Sequence, residues 1–173
     1  GEQMVDELLR HELKGTSARR FDSRRAGTST TFAWAQDAAP FLAVVASAVT
    51  ALGLDAATGE HLGRLYGTEY AAILGLIGAQ PALGRRITAE HGCPDLLAQA
   101  VYAVTDEGAR TLADIIDRRL VLGTLGRISR TTIRDVAEVV GPLWGWDDQR
   151  CTSEADAEFE RRGLLERAWR TNA

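Results

Sequence analysis

The stretch Thr131-Thr-Ile-Arg-Asp-Val-Ala-Glu-Val-Val-Gly-Pro-Leu-Trp144 decides the fold class. Ile133, Val136, Ala137, Val140, Leu143 and Trp144 recur at i, i+3, i+4 and i+7, the spacing that gathers apolar side chains on one face of an α-helix. Thr131 or Thr132 is expected to start this helix. Gly141-Pro142 is expected to end its regular part near Val140, because proline lacks an N–H and its ring clashes with the preceding turn.

The same period extends outward. Upstream, Thr111 and Asp114 form a capping pattern. Behind it, Leu112, Ile115, Ile116 and Leu120 face a core. Arg118 and Arg119 fall in the last turn, where positive charge suits the negative helix end. Pro94-Asp95 opens a helix presenting Leu97, Ala100, Val101 and Val104. Gly108 predicts a break between Asp106 and Thr111. Asp55 caps a helix with Leu62, Leu65 and Tyr66 that stops at Gly67. Thr68 caps another, with Tyr70, Ile73, Leu74 and Ile77 inward and Gly78 and Pro81 closing it. Residues 79–94 read as a connection.

Asp37, with Pro40 in the first turn, opens a helix apolar on nearly all sides, striped by Phe41, Val44, Val45, Ala48, Val49 and Leu52. Such a helix is expected at the centre of a bundle. Downstream, Thr152 or Ser153 starts a last helix carrying Phe159, Leu164 and Trp169. Residues 2–14 form a first helix with Met4, Val5, Leu8 and Leu9 on its apolar face. No segment alternates like a strand. The expected fold is all-α, an irregular helical bundle of about seven or eight helices. Residues 1–36 read as an N-terminal helix and a basic Ser/Thr-rich linker, and residues 37–173 as the helical domain proper.

Composition sets the class. The chain has 173 residues, 45% of them apolar and 25% charged, with a net charge of −4. That describes a soluble domain with a real core, and it argues against nucleic acid as a partner. Helix 131–145 has Arg134 as its only base, too few for reading DNA. Five basic residues between Lys14 and Arg25 face one acid, Asp22. A solvated basic loop is a simpler reading of residues 19–25 than an anion or lipid site. The apolar run Phe41 to Leu54 is shorter than the roughly 20 residues a bilayer requires. The N-terminus lacks the apolar core of a secretion signal. Cys93 and Cys151 have no zinc or CxxC spacing and read as reduced thiols of a cytoplasmic protein.

Chemistry-bearing motifs are missing: there is no GxGxxG, no Walker loop, no GxSxG and no HExxH. His11, His61 and His91 are dispersed and read as solvent-facing or locally hydrogen-bonded. Glu107, Asp114 and Asp117 lie close in sequence to Arg110, Arg118 and Arg119. A paired-carboxylate active site is one reading of them. Helical ion pairs are the better one, Asp114 with Arg118 at i, i+4 and Glu107 with Arg110 at i, i+3. No catalytic, cofactor-binding or metal-ligating residue is assigned.

The stretch Ala98-Gln-Ala-Val-Tyr-Ala-Val-Thr-Asp-Glu-Gly-Ala-Arg-Thr-Leu-Ala-Asp-Ile-Ile-Asp-Arg-Arg119 resembles the signature of the C-terminal domain of FAD-dependent, aerobic or respiratory, glycerol-3-phosphate dehydrogenases. That pattern reads approximately A-E-V-x-Y-A-V-R-x-E-x-A-x-T-L-x-D-x-L-x-R-R-T. Ala98, Tyr102, Ala103, Val104, Glu107, Ala109, Thr111, Leu112, Asp114, Arg118 and Arg119 match it. His61-Leu-Gly-Arg-Leu-Tyr-Gly67, Val136-Ala-Glu-Val-Val140 and Gly145-Trp-Asp147 are similar to further family segments, and Glu2-Gln-Met-Val-Asp-Glu7 is similar more loosely. Gln99 and Thr105 stand where the family has an acid and an arginine, which would remove a salt bridge between them. Leu120 stands where threonine is common.

The resemblance implies a helical cap, without flavin or active site of its own, that packs on the FAD and substrate domain of the same polypeptide. Tyr102, Glu107, Asp114, Arg118 and Arg119 are the candidate interdomain residues it carries over. The parent enzyme would oxidise sn-glycerol 3-phosphate to dihydroxyacetone phosphate and pass electrons through FAD to a quinone. Homodimerisation and peripheral attachment of the parent to the inner face of the cell membrane are further expectations. A free-standing helical binding or regulatory module of shared ancestry is the alternative.

Overall fold

The computed structural model describes residues 38–87 and 92–171, with side chains through residue 163. The chain divides into two compact units, Gly1–Val44 and Val45–Ala173. Six helices span the described residues: α1 (Ala38–Thr50), α2 (Ala56–Tyr66), α3 (Tyr70–Ala79), α4 (Leu97–Thr105), α5 (Arg130–Val140) and α6 (Asp148–Thr171). A short α-turn, Leu112–Asp114, runs into a π-turn, Ile115–Arg119. Among the described residues no strand forms; Arg86 and Leu96 make an isolated antiparallel bridge. The fold is all-α, with slightly fewer helices than the sequence suggests. The expected helix over 2–14, the linker with its basic loop 19–25, the Asp37 cap, His11 and His91 lie outside the described residues. So do the side chains of Leu164 and Trp169.

The core is built around α4. Seven of its nine residues are buried, and it packs against α3, α5 and the π-turn. Leu96, Ile115, Ile116, Leu122, Ile133 and Val136 are fully enclosed around it. Each such side chain contributes about 1.5–3 kcal/mol of burial. The expectation that α1 would be central is corrected here: its buried positions are Val45 and Val49, whereas Ser47 and Thr50 are exposed. Small residues rather than burial explain why α1 looks apolar all round. α2 crosses it closely at Gly59, where a Cβ would stand 2.7 Å from Val49 Cγ2 and 2.8 Å from Ala46 Cα.

Local signals set most boundaries. The Asp55 carboxylate accepts from Thr58 N at 2.7 Å and starts α2. Thr68 does not cap α3; a 3₁₀ turn, Gly67–Glu69, leads straight into it. Helix α4 ends at Thr105, and Gly108 takes φ +73°, a left-handed conformation that glycine adopts without the usual Cβ clash. Ser129, rather than Thr131 or Thr132, caps α5, its hydroxyl accepting from Thr132 N. A 3₁₀ turn, Gly141–Trp144, with Pro142 near its start, stops α5 as expected. Helix α6 starts four residues before Thr152, with Asp147 Oδ1 accepting from Arg150 N at 2.7 Å. Asp147, rather than Thr152 or Ser153, is therefore the residue that caps the helix.

Helices α5 and α6 pack along one another, with Ile133, Val140, Cys151 and Ala155 buried. Arg130 ties their ends together. Its guanidinium lies 4.8 Å from the Phe159 ring centre and bridges Asp156 at 2.6 Å and Glu160 at 3.3 Å.

Candidate interdomain site and the buried polar centre

The five candidate residues fall on one continuous piece of chain, from the end of α4 to the end of the π-turn. Tyr102 is buried in α4. Its ring meets Tyr66 edge to face at 5.7 Å, and its hydroxyl donates to Glu69 Oε2 at 3.4 Å. Burial, followed by the Glu69 charge, pushes the phenol above its ordinary range. Tyr102 is thus a core residue with one polar end.

Glu107 sits in the break after α4. It does not pair with Arg110; it faces Arg119, whose Nε lies 3.8 Å from Oε2 and whose Nη2 donates to the Glu107 carbonyl at 3.1 Å. The i, i+3 rule fails because the helix has already ended. Glu107 Oε2 is buried and accepts no hydrogen bond. Burial raises the carboxyl above the ordinary glutamate value, Arg119 opposes that shift, and Asp106 reinforces it.

Asp114 and Thr111 close a reciprocal cap. Thr111 Oγ1 accepts from Asp114 N at 3.1 Å, and Asp114 Oδ2 accepts from the N–H groups of Thr111 at 3.1 Å and Arg110 at 3.2 Å. The Thr111 side chain, the Arg110 amide and the Arg118 charge hold the Asp114 carboxyl below its ordinary value. The Asp114–Arg118 pair forms as the spacing predicts, at 3.3 Å, with Arg118 three-quarters exposed. Arg118 and Arg119 end the π-turn; Asp117, just before them, is held by Arg161 and Arg162 of α6.

A second polar centre was not visible in the sequence. Asp95 is completely buried. Its Oδ1 meets His61 Nε2 at 2.9 Å and Gln99 Nε2 at 3.3 Å, and its Oδ2 accepts from Leu122 N at 2.8 Å and Cys93 Sγ at 3.4 Å. Gln99 extends the network: Oε1 accepts from Leu96 N at 2.7 Å, and Nε2 donates to the Tyr66 hydroxyl at 3.1 Å. Burial pushes the Cys93 thiol and the Tyr66 phenol each up to about 12. Gln99 and Thr105, expected to lack the salt bridge of the family pattern, have separate partners: Gln99 points into this centre, while Thr105 is exposed and donates to Val101 O and Asp106. His61, expected to face solvent or bond locally, instead meets Asp95, 34 residues further along the chain. Both cysteines are free and buried. No three His, Cys, Asp or Glu side chains gather as metal ligands among the described residues.

These features define a class: an all-helical domain whose described titratable groups are engaged mostly with one another and with backbone amides. The model of the C-terminal domain of alpha-glycerophosphate oxidase matches residues 23–151, and the chain belongs to that family. It is 32% identical over 102 residues to a glycerol-3-phosphate dehydrogenase of Synechocystis, covering 58% of this chain and 18% of that protein. It is 35% identical over 88 residues to glycerol-3-phosphate dehydrogenase 2 of Mycobacterium bovis, covering 50% of this chain and 15% of that protein. The match thus spans less than a fifth of either relative. No solved structure matches the chain.

A flavin dinucleotide seats its pyrophosphate on a glycine-rich turn between a strand and a helix. Among the described residues the positive-φ glycines, such as Gly67 and Gly108, lie between helical elements, and no strand is formed. The described residues do not fit FAD.

Proposed function

We propose that this chain is the C-terminal helical cap of an FAD-dependent glycerol-3-phosphate dehydrogenase. In this reading residues 37–173 pack on the FAD and substrate domain of the same polypeptide, and residues 1–36 lead into them. The parent oxidises sn-glycerol 3-phosphate to dihydroxyacetone phosphate, with FAD and then a quinone as electron acceptors. The single observation that carries this is the partial overlap: a family-defining domain that matches less than a fifth of each named dehydrogenase.

The cap contributes shape and position. The Thr111–Asp114 box fixes where the π-turn begins, and the π-turn sets the directions of Arg118 and Arg119. Those two cations, with Glu107 and Asp114, are the groups this reading places at the domain boundary. No described helix is long and apolar enough to cross a membrane. Any membrane attachment of the parent is peripheral in this account, and its compartment is the cytoplasm.

The test is spectroscopic. The purified chain, titrated with FAD, is expected to stay colourless after gel filtration and to leave sn-glycerol 3-phosphate unoxidised. A yellow protein that turns over this substrate by itself would overturn the reading.

A further inference from the structure

A cleft of about 250 Å³ opens between the Thr111–Asp114 turn and α6. Leu112 and Ala113 line it from the turn. Ala157 lines it from the helix, with Glu154, Glu158 and Arg161 on the same side. The turn packs directly against α6, so the fold holds the two walls in place. Leu112 is buried and Ala157 is exposed, so the apolar lining runs from the core out to the surface.

The charged groups of the lining are already engaged. Arg161 donates to both oxygens of Glu158, at 2.7 Å and 2.6 Å, and to Asp117 at 2.6 Å. Glu154 pairs with Arg150 at 3.4 Å. Each charge thus has a partner of opposite sign within the chain, and none is left over to recruit an ion. What remains is aliphatic surface, which gains by losing water. The volume suits one large apolar side chain. It falls below the roughly 300–1,000 Å³ of sites that take small molecules and cofactors.

We propose that this cleft seats a large apolar side chain of the FAD and substrate domain, as an anchor for the cap. Position selects that occupant: the turn that walls the cleft leads straight into Asp114 and Arg118, which the cap reading places at the domain boundary. A second copy of the chain gains too little from it, because one seated side chain is far short of the roughly 800 Å² per partner that a stable interface between separate molecules buries. Within a larger contact the same side chain suffices, since a few buried anchors carry most of an interface's energy. The inference rests on the cap reading above and adds to it the place of one contact and the chemistry of its partner.

The experiment compares two variants of the full chain. Ala157→Leu fills the cleft from its own wall, and Ser153→Leu adds a leucine at an exposed position of α6 outside it. In the first arm the Tm of Ala157→Leu is expected to hold or rise. A clear fall would mean that the cleft cannot admit an apolar side chain, which overturns the proposal without touching the cap reading. In the second arm, calorimetry measures binding of each form to the flavin segment encoded in frame with this chain. Ala157→Leu is expected to weaken binding about tenfold or more, as loss of a buried anchor does, and Ser153→Leu to bind within twofold of wild type. Equal affinities of the two variants would overturn the proposal and leave the cap reading standing. Self-association of the chain that Ala157→Leu abolishes would assign the cleft to a second copy and overturn it in the same way. Failure of the unsubstituted chain to bind would overturn the cap reading and this proposal together.

Discussion

His61 Nε2 and Asp95 Oδ1 stand 2.9 Å apart, joining α2 to the loop that enters α4 across 34 residues of sequence. The Asp95 side chain has no solvent exposure, against 13% for His61. Asp95 also takes the Leu122 amide, so one carboxylate fixes three parts of the fold. Its removal leaves several buried donors without an acceptor.

Asp95→Ala is therefore expected to cost about 3–5 kcal/mol, the range for breaking a buried charged network from one side. Asp95→Asn keeps part of the acceptor set and should cost about 1–3 kcal/mol. Urea unfolding of the full chain measures both. Equal stability of wild type and Asp95→Ala would show that the network contributes nothing.

The Thr111–Asp114 box makes a pH-dependent prediction. The folded Asp114 carboxyl lies below its unfolded value of 3.8. A depressed carboxyl contributes stability that is present above the unfolded value and lost as pH falls through the folded one. Asp114→Asn should thus be less stable than wild type at neutral pH, and the gap should close below about pH 4. Thr111→Ala should cost about 1 kcal/mol, and Thr111→Ser should recover most of it. A gap that stays constant down to pH 2 would rule out the carboxylate as the capping group.

Two glycines in helices should respond oppositely to alanine. At Gly59 a new methyl meets Val49 and the Ala46 backbone under 3.0 Å, so Gly59→Ala should destabilise by about 1–3 kcal/mol by forcing α1 from α2. At Gly75, within α3, a Cβ meets nothing within 4 Å. Gly75→Ala should stabilise by about 0.5–1 kcal/mol through helix propensity alone. Thermal melts of the two variants decide this by sign.

Sequence periodicity captured what depends on neighbours in the chain. The apolar face of α5, the Thr111–Asp114 cap, the Asp114–Arg118 pair and the break at Gly108 are all local, and all are present. The failures at the polar groups have one physical source: their partners come from outside the local helix. Glu107 was matched to Arg110 by helical spacing at a place where the helix had ended, and its cation comes from 12 residues away. Asp95 looked like a helix opener because its partners, His61 and Leu122, are brought to it only by tertiary packing. Asp117 likewise meets Arg161 and Arg162 from α6, 44 and 45 residues on. A buried polar network leaves no periodic trace. The closest signal was an Asp at a predicted helix start followed by Gln99 where the resemblance called for an acid.

Complementation addresses the central claim most directly. The chain should be mixed with the separately produced flavin and substrate segment of its own reading frame, and oxidation of sn-glycerol 3-phosphate followed with a quinone analogue. The account predicts that neither half matches the mixture and that turnover rises with added chain until a one-to-one complex forms. Full activity of the flavin segment alone, unchanged by saturating amounts of this chain, would contradict it.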